Sequence, residues 1–163
     1  MDQQSFTQKL LESEQMLYRI SCSFLYSEED RRDAIQETAL KAWQYSNQLR
    51  EEQYFKTWIT RILINECKNI CRKNTKVIPA ADISFPANAT VLDSEMDIRF
   101  LLESLPERQR VPIVLHYLEG FSLEEIAQVE HLTVAMVKYL MHQARKKLRI
   151  ELNGKESDSH DRE

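Results

Sequence analysis

The sequence predicts an all-α chain: two small helical domains joined by a flexible linker, with a helix-turn-helix in the C-terminal one. Three observations carry that prediction. No glycine or proline occurs before Pro79, so nothing interrupts helix propagation in the first half. Apolar residues recur at spacings of three and four on both sides of residues 74–95, a stretch with no sustained period. Near the C-terminus a short helix, a three-residue turn and a longer basic helix follow one another, the pattern of a helix-turn-helix.

The first helix is expected from about Phe6 to Leu25, with Leu10, Leu11, Leu17, Ile20 and Phe24 as its apolar stripe. Ser27 then reads as an N-cap, followed by Glu28, Glu29 and Asp30 where the helix dipole favours acids. The second helix runs to about Tyr45 and is expected to bury Ile35, Ala39, Ala42 and Trp43. After a polar loop, Ser46 to Glu52, a third helix carries Phe55, Trp58, Ile59, Ile62 and Ile70 on its apolar side. Trp43 and Trp58 are therefore read as core of the first domain.

Pro79, Pro86, Asn88, Thr90 and Ser94 punctuate the linker, whose 22 residues, fully extended, reach roughly 75 Å. Beyond it, Met96 to Leu102 reads as a short helix, and Ser104 as the cap of the next, with Pro106 in its first turn. That helix buries Val111, Ile113, Val114 and Leu118 and stops at Gly120, a C′ glycine. Ser122 and Glu125 form a capping box for a helix ending near Val129. Glu130-His131-Leu132 makes the turn, and Thr133 caps a last helix with Val134, Val137, Met141, Ala144 and Leu148 inward. The expected domains are residues 1–73, a linker 74–95, residues 96–150 and an acidic disordered tail, 151–163.

Composition narrows the function. Only Gly120 and Gly154 are glycines, so no glycine-rich phosphate loop or dinucleotide fingerprint can be written. No apolar run approaches the ~20 residues that span a bilayer, and Met1-Asp2-Gln3-Gln4 does not open a signal peptide. A cytoplasmic protein with reduced thiols is the expectation for Cys22, Cys67 and Cys71. Cys67 and Cys71 lie one helical turn apart, but no neighbouring His or Cys completes a metal set, so no metal and no cofactor are expected. His116, between Val114 and Tyr117, reads as packing or a hydrogen bond at the rim of the core.

The net charge of −4 argues against a polycation, yet two local stripes are basic. Arg61, Lys68, Arg72, Lys73 and Lys76 face Glu66 alone, and Lys138, Arg145, Lys146, Lys147 and Arg149 face no acid. Arg61, Asn65, Lys68 and Arg72 fall on one side of the third helix; cations suit phosphates and Asn suits exposed base edges. On the last helix, Ala135, Lys138, Tyr139, His142, Gln143, Arg145 and Lys146 point outward, as a helix entering the major groove requires.

Three blocks in order resemble one bacterial family. Asp33-Ala34-Ile35-Gln36-Glu37, with Trp43, is similar to the Asp-x-x-Gln-Glu…Trp block of extracytoplasmic-function (ECF) sigma factors. Phe55-Lys56-Thr57-Trp58-Ile59, then Ile62, Asn65, Arg72 and Lys73, resembles that family's promoter segment. Leu105-Pro106-Glu107-Arg108-Gln109-Arg110, Tyr117 through Ala127, Val137-Lys138 and Ala144 through Leu148 resemble its C-terminal DNA-reading domain.

The resemblance implies a dissociable RNA polymerase subunit without an enzymatic activity of its own. Asp33, Gln36, Glu37 and Lys41 would bind core polymerase on the clamp helices of its largest subunit. Asn47 in the loop, with Arg61, Asn65, Lys68, Asn69, Arg72 and Lys73, would hold the opened minus-ten element. Thr133, Ala135, Lys138, Tyr139, His142, Gln143, Arg145 and Lys146 would meet the minus-thirty-five element. The flap region of polymerase, promoter DNA and an anti-sigma factor are the further partners implied. The chain departs from the family pattern at Asn69 (often Asp), His131 (often Gly), Ala135-Met136 (often Gly-Thr), and Leu140 and Gln143 (often Arg). Two missing cations predict weaker phosphate attraction or a non-standard minus-thirty-five sequence. The rival expectation is a dimeric helix-turn-helix regulator that binds a palindrome without polymerase.

Overall fold

The computed structural model describes the backbone of residues 1–75 and 101–160 and the side chains of 1–74 and 101–151. All regular structure among them is helical. In order, α1 is Gln3–Cys22, α2 Glu28–Gln44, α3 Phe55–Thr75, α4 Glu107–Ile113, α5 Leu123–Glu130 and α6 Val134–His160. Single 3₁₀ turns, Ser46–Gln48 and Glu52–Tyr54, lie between α2 and α3, and a π turn, Val114–Leu118, extends α4. Residues 101–103 are helical; the rest of the expected helix from Met96, and nearly all of the linker, lie outside the described residues. The chain divides into two compact units, one built on α1–α3 and the other on α4–α6.

In the first unit α2 packs on both α1 and α3, and α1 on α3. Phe6 and Phe55 meet near the N-terminal ends of α1 and α3 with ring centroids 5.9 Å apart, while the Cys71 thiol donates to the Phe24 carbonyl at 3.4 Å near their C-terminal ends. These two helices therefore run parallel, with α2 antiparallel to both. Leu17, Ile59 and Leu63 are fully buried between them, each worth about 1.5–3 kcal/mol of transfer free energy.

The capping expectations at Ser27, Ser122 and Thr133 hold. The hydroxyls accept from the Asp30, Glu125 and Met136 amides at 3.3, 3.1 and 3.1 Å. Glu125 returns a bond to the Ser122 amide at 2.8 Å, completing the capping box. Gly120 adopts φ +70°, as a C′ position requires. Ser104 does not cap: its hydroxyl turns back to the Leu101 carbonyl at 2.6 Å, and Pro106 occupies the N-cap of α4.

Several expected core residues are displaced. On α2 the buried face is Arg31, Ala34, Thr38 and Ala42; Ile35 and Ala39 are half-buried and Trp43 is exposed. Two polar residues are tolerated there because they are satisfied locally. Arg31 Nε donates to the Leu25 carbonyl at 2.9 Å and Thr38 Oγ1 to that of Ala34 at 2.6 Å. Leu11 is exposed, α1 ends before Phe24, and Trp58 is half-buried at the edge of the Phe6–Phe55 aromatic cluster.

Leu118 is exposed for a mechanical reason. Pro112 removes one helical hydrogen bond and its ring crowds the Arg108 carbonyl. The ladder then widens into the π turn, and each residue advances less than in an α-helix, so Leu118 falls short of the buried stripe. Helix α6 also exceeds its expected length. It continues through 151–160, where the sequence reading placed a disordered tail, because a packed helix propagates across one glycine, Gly154, at a cost of only about 1 kcal/mol.

Candidate polymerase- and promoter-binding surfaces

The outer face of α2 presents Asp33, Gln36 and Glu37, all exposed, opposite its buried side. Leu40 and Trp43 join them at 65% and 47% exposure, an apolar component that sequence reasoning missed because it had assigned Trp43 to the core. Lys41 lies on the flank instead. Its ammonium donates to Glu66 Oε1 on α3 at 2.6 Å and stands 3.9 Å from Glu37. The hydrogen bond to Glu66 raises the Lys41 pKa above its ordinary value, outweighing the opposing effect of desolvation. Its side chain is held within the first unit.

On α3, Arg61, Asn65, Lys68 and Arg72 share the side facing away from Phe55, Ile59 and Leu63, so the expected stripe is assembled. Asn65, Arg72 and Lys73 are exposed; Arg61, Lys68 and Asn69 are half-buried. Arg72 Nη2 donates to Asn69 Oδ1 at 2.5 Å, so Asn69 orients a neighbouring cation where the family pattern often has an acid. Asn47 is exposed in the first 3₁₀ turn.

In the second unit, Val137, Met141 and Ala144 are buried, which turns Ala135, Lys138, Tyr139, His142, Arg145 and Lys146 to the surface. Gln143 is half-buried, and the Thr133 hydroxyl is engaged in its cap. Leu140 is buried at 6% exposure, so this departure from the family pattern adds apolar packing and does not leave an empty place on the outward face. His131 closes α5 in the left-handed region at φ 53°, where a glycine carries no Cβ penalty. His116 makes its rim hydrogen bond: because a carbonyl can only accept, Nδ1–H donates to the Phe121 oxygen at 2.8 Å.

Two family models match these two units. Sigma-70 region 2 covers residues 10–77 and Sigma-70, region 4 covers 95–148. The ECF RNA polymerase sigma-E factor of Escherichia coli (strain K12) is 31% identical over 131 residues, 69% of each chain. The chain belongs to the ECF sigma factors. RNA polymerase sigma factor SigV of Bacillus subtilis (strain 168) is 27% identical over 146 residues, 88% of each chain. Among solved structures, the sigma factor RpoE in complex with the anti-sigma factor NepR, from Bartonella quintana, aligns with a TM-score of 0.76. The match has 27% identity and covers 91% of this chain and 97% of that one. CnrH, solved with the cytosolic domain of CnrY, shares the fold, with a TM-score of 0.74 and 24% identity over 94% and 90% of the two chains. ECF sigma factors act in transcription initiation and are regulators rather than enzymes. No helix among the described residues of this ECF sigma factor is long and apolar enough to cross a membrane.

Proposed function

We propose that this ECF sigma factor binds core RNA polymerase through the outer face of α2 and directs it to a restricted set of promoters. Residues 1–73 form the polymerase-binding and minus-ten domain, 96–150 the minus-thirty-five domain, and 74–95 the connection between them. Asp33, Gln36 and Glu37, with Leu40 and Trp43, make the polymerase contact on the clamp helices. Lys41 supports that face from its flank. Asn47 and the α3 stripe of Arg61, Asn65, Lys68, Asn69, Arg72 and Lys73 hold opened minus-ten DNA. The outward residues of α6 meet the minus-thirty-five duplex: Lys138, Arg145 and Lys146 at phosphates, and Tyr139, His142 and Gln143 toward base edges, with Ala135 beside them and Thr133 fixing the start of the helix. The second unit also docks on the flap region, and the protein works in the cytoplasm. The solved complex of RpoE, a relative matched over 97% of its chain, with the anti-sigma factor NepR supports an anti-sigma factor as the controlling partner.

The observation that carries this reading is the joint one: both sigma regions are matched in order, and each unit exposes cations on one helix, Arg72 and Lys73 on α3 and Lys138, Arg145 and Lys146 on α6. Run-off transcription with purified core polymerase on fragmented genomic DNA tests it. Discrete new starts sharing two upstream elements are the expected result. Core-independent binding to a palindrome, with no new starts, would overturn it in favour of a dimeric regulator.

A further inference from the structure

We infer that Tyr117 is a positioning residue for promoter binding: its phenol holds the Arg145 guanidinium at the DNA-facing flank of α6. The inference rests on the minus-thirty-five reading of α6 and adds to it a residue outside the helix-turn-helix.

Arg145 belongs to the acid-free run from Lys138 to Arg149. A long, exposed arginine among like charges has no electrostatic reason to hold one rotamer, and ordering it on DNA costs side-chain entropy. Here it is tied down. Its Nη1 donates to the Tyr117 hydroxyl at 3.1 Å, across 28 residues of sequence. The acceptor is uncharged. Lys41, whose ammonium is met by a carboxylate, has its charge cancelled inside the fold; Arg145 keeps its full charge and the rest of its five N–H donors for phosphate.

The phenol is itself fixed. Tyr117 lies in the π turn that Pro112 sets up, and its ring meets His116 edge-on at 4.9 Å. His116 is bonded to the carbonyl of Phe121, whose side chain is 1% exposed. The path therefore runs from the core through two rings to an exposed guanidinium. Tyr117 is 58% exposed, so burial does not account for its hydroxyl bond, and Tyr117→Phe removes that bond while leaving the ring packing in place.

The test measures holoenzyme affinity for a mapped promoter over a salt series. Tyr117→Phe is expected to weaken binding about two- to tenfold, the range of one hydrogen bond. It should also flatten the slope of log K against log salt by up to about 0.9, the value of one phosphate contact, although no charge has been removed. A merely structural role would not move that slope. Arg145→Gln should do the same, and Tyr117→Phe should add nothing in its background, whereas Lys138→Gln and Tyr117→Phe should be additive. If Arg145→Gln lowers the slope and Tyr117→Phe leaves it unchanged or tightens binding, the positioning role is overturned and the minus-thirty-five reading stands. If Arg145→Gln itself changes neither affinity nor slope, Arg145 does not contact DNA and both fail.

Discussion

At the scale of residues, Lys41 and Tyr18 tie the first unit together by pairing across helices. Lys41 donates to Glu66, whose side chain is only 11% exposed, and the Tyr18 hydroxyl donates to Glu28 at 2.9 Å. Removing Lys41 would leave a largely buried carboxylate without its cation, so Lys41→Met should destabilise the first unit by about 1–2 kcal/mol, discounted from a fully buried pair for partial exposure. Lys41→Met and Glu66→Gln should be strongly non-additive in urea titrations. Both the Lys41 ammonium and the Tyr18 phenol have pKa values raised above their ordinary 10.5 and 10.0. Groups raised on folding contribute fully below their unfolded values and lose that contribution as pH rises through the folded ones. The stability of the unit should therefore fall above about pH 10, and Lys41→Met should fall less steeply. His131 makes the opposite case. Its left-handed backbone is a local cost, and His131→Gly should raise the thermal midpoint of the second unit, a gain of about 0.5–1 kcal/mol after glycine's own entropy is counted.

At the scale of elements, the signals that were legible in the sequence are those confined to one turn. The hydroxyls of Ser27, Ser122 and Thr133 accept from amides three residues away, and Gly120 takes a left-handed φ of its own, so spacing and residue type alone identify them. Ser122→Ala should cost about 1 kcal/mol and shorten α5, measurable as faster amide exchange in its first turn. Faces that depend on a partner helix were less legible. Apolarity favoured Ile35, Ala39 and Trp43 on α2, but small residues, Ala34 and Ala42, let α2 pack on α1 and α3, with Thr38 between them satisfied by its own backbone. Leu118 failed for another reason: a 3.6-residue period cannot anticipate the π turn that follows Pro112. The candidate surfaces divided in the same way. Asn65 and Arg72 on α3 and Lys138, Tyr139, His142, Arg145 and Lys146 on α6 are exposed where the helical period puts them, while Arg61, Lys68 and Gln143 are half-buried. That Lys41, grouped with the polymerase-binding residues, pairs with Glu66 is visible only in the folded chain.

At the scale of the whole molecule, the proposed function divides recognition between units of different character. The first combines an α2 face with exposed apolar residues and an α3 stripe of mixed Asn and cations; the second offers a helix whose stretch from Lys138 to Arg149 carries no acid. Leu40→Asp should weaken core-polymerase affinity at least tenfold in a competition assay, because it puts a charge where the proposed interface buries an apolar group, and should leave the thermal midpoint nearly unchanged, since Leu40 is 65% exposed in the free protein. Lys138→Gln and Lys146→Gln should leave core affinity intact while each flattens the salt dependence of promoter binding by up to about 0.9 in log–log slope.

The parallel pairing of α1 with α3 has a consequence during synthesis. Phe24 and Cys71 are 47 residues apart in sequence, so the partner of α1 leaves the ribosome well after α1 does. At roughly 5–20 residues per second that delay is about 2–9 s, during which the newborn chain can form only the α1–α2 hairpin, with Phe6 still unsealed by Phe55. A nascent chain in that interval offers a sticky apolar seam to any chaperone at the exit tunnel, and closes it only when α3 arrives.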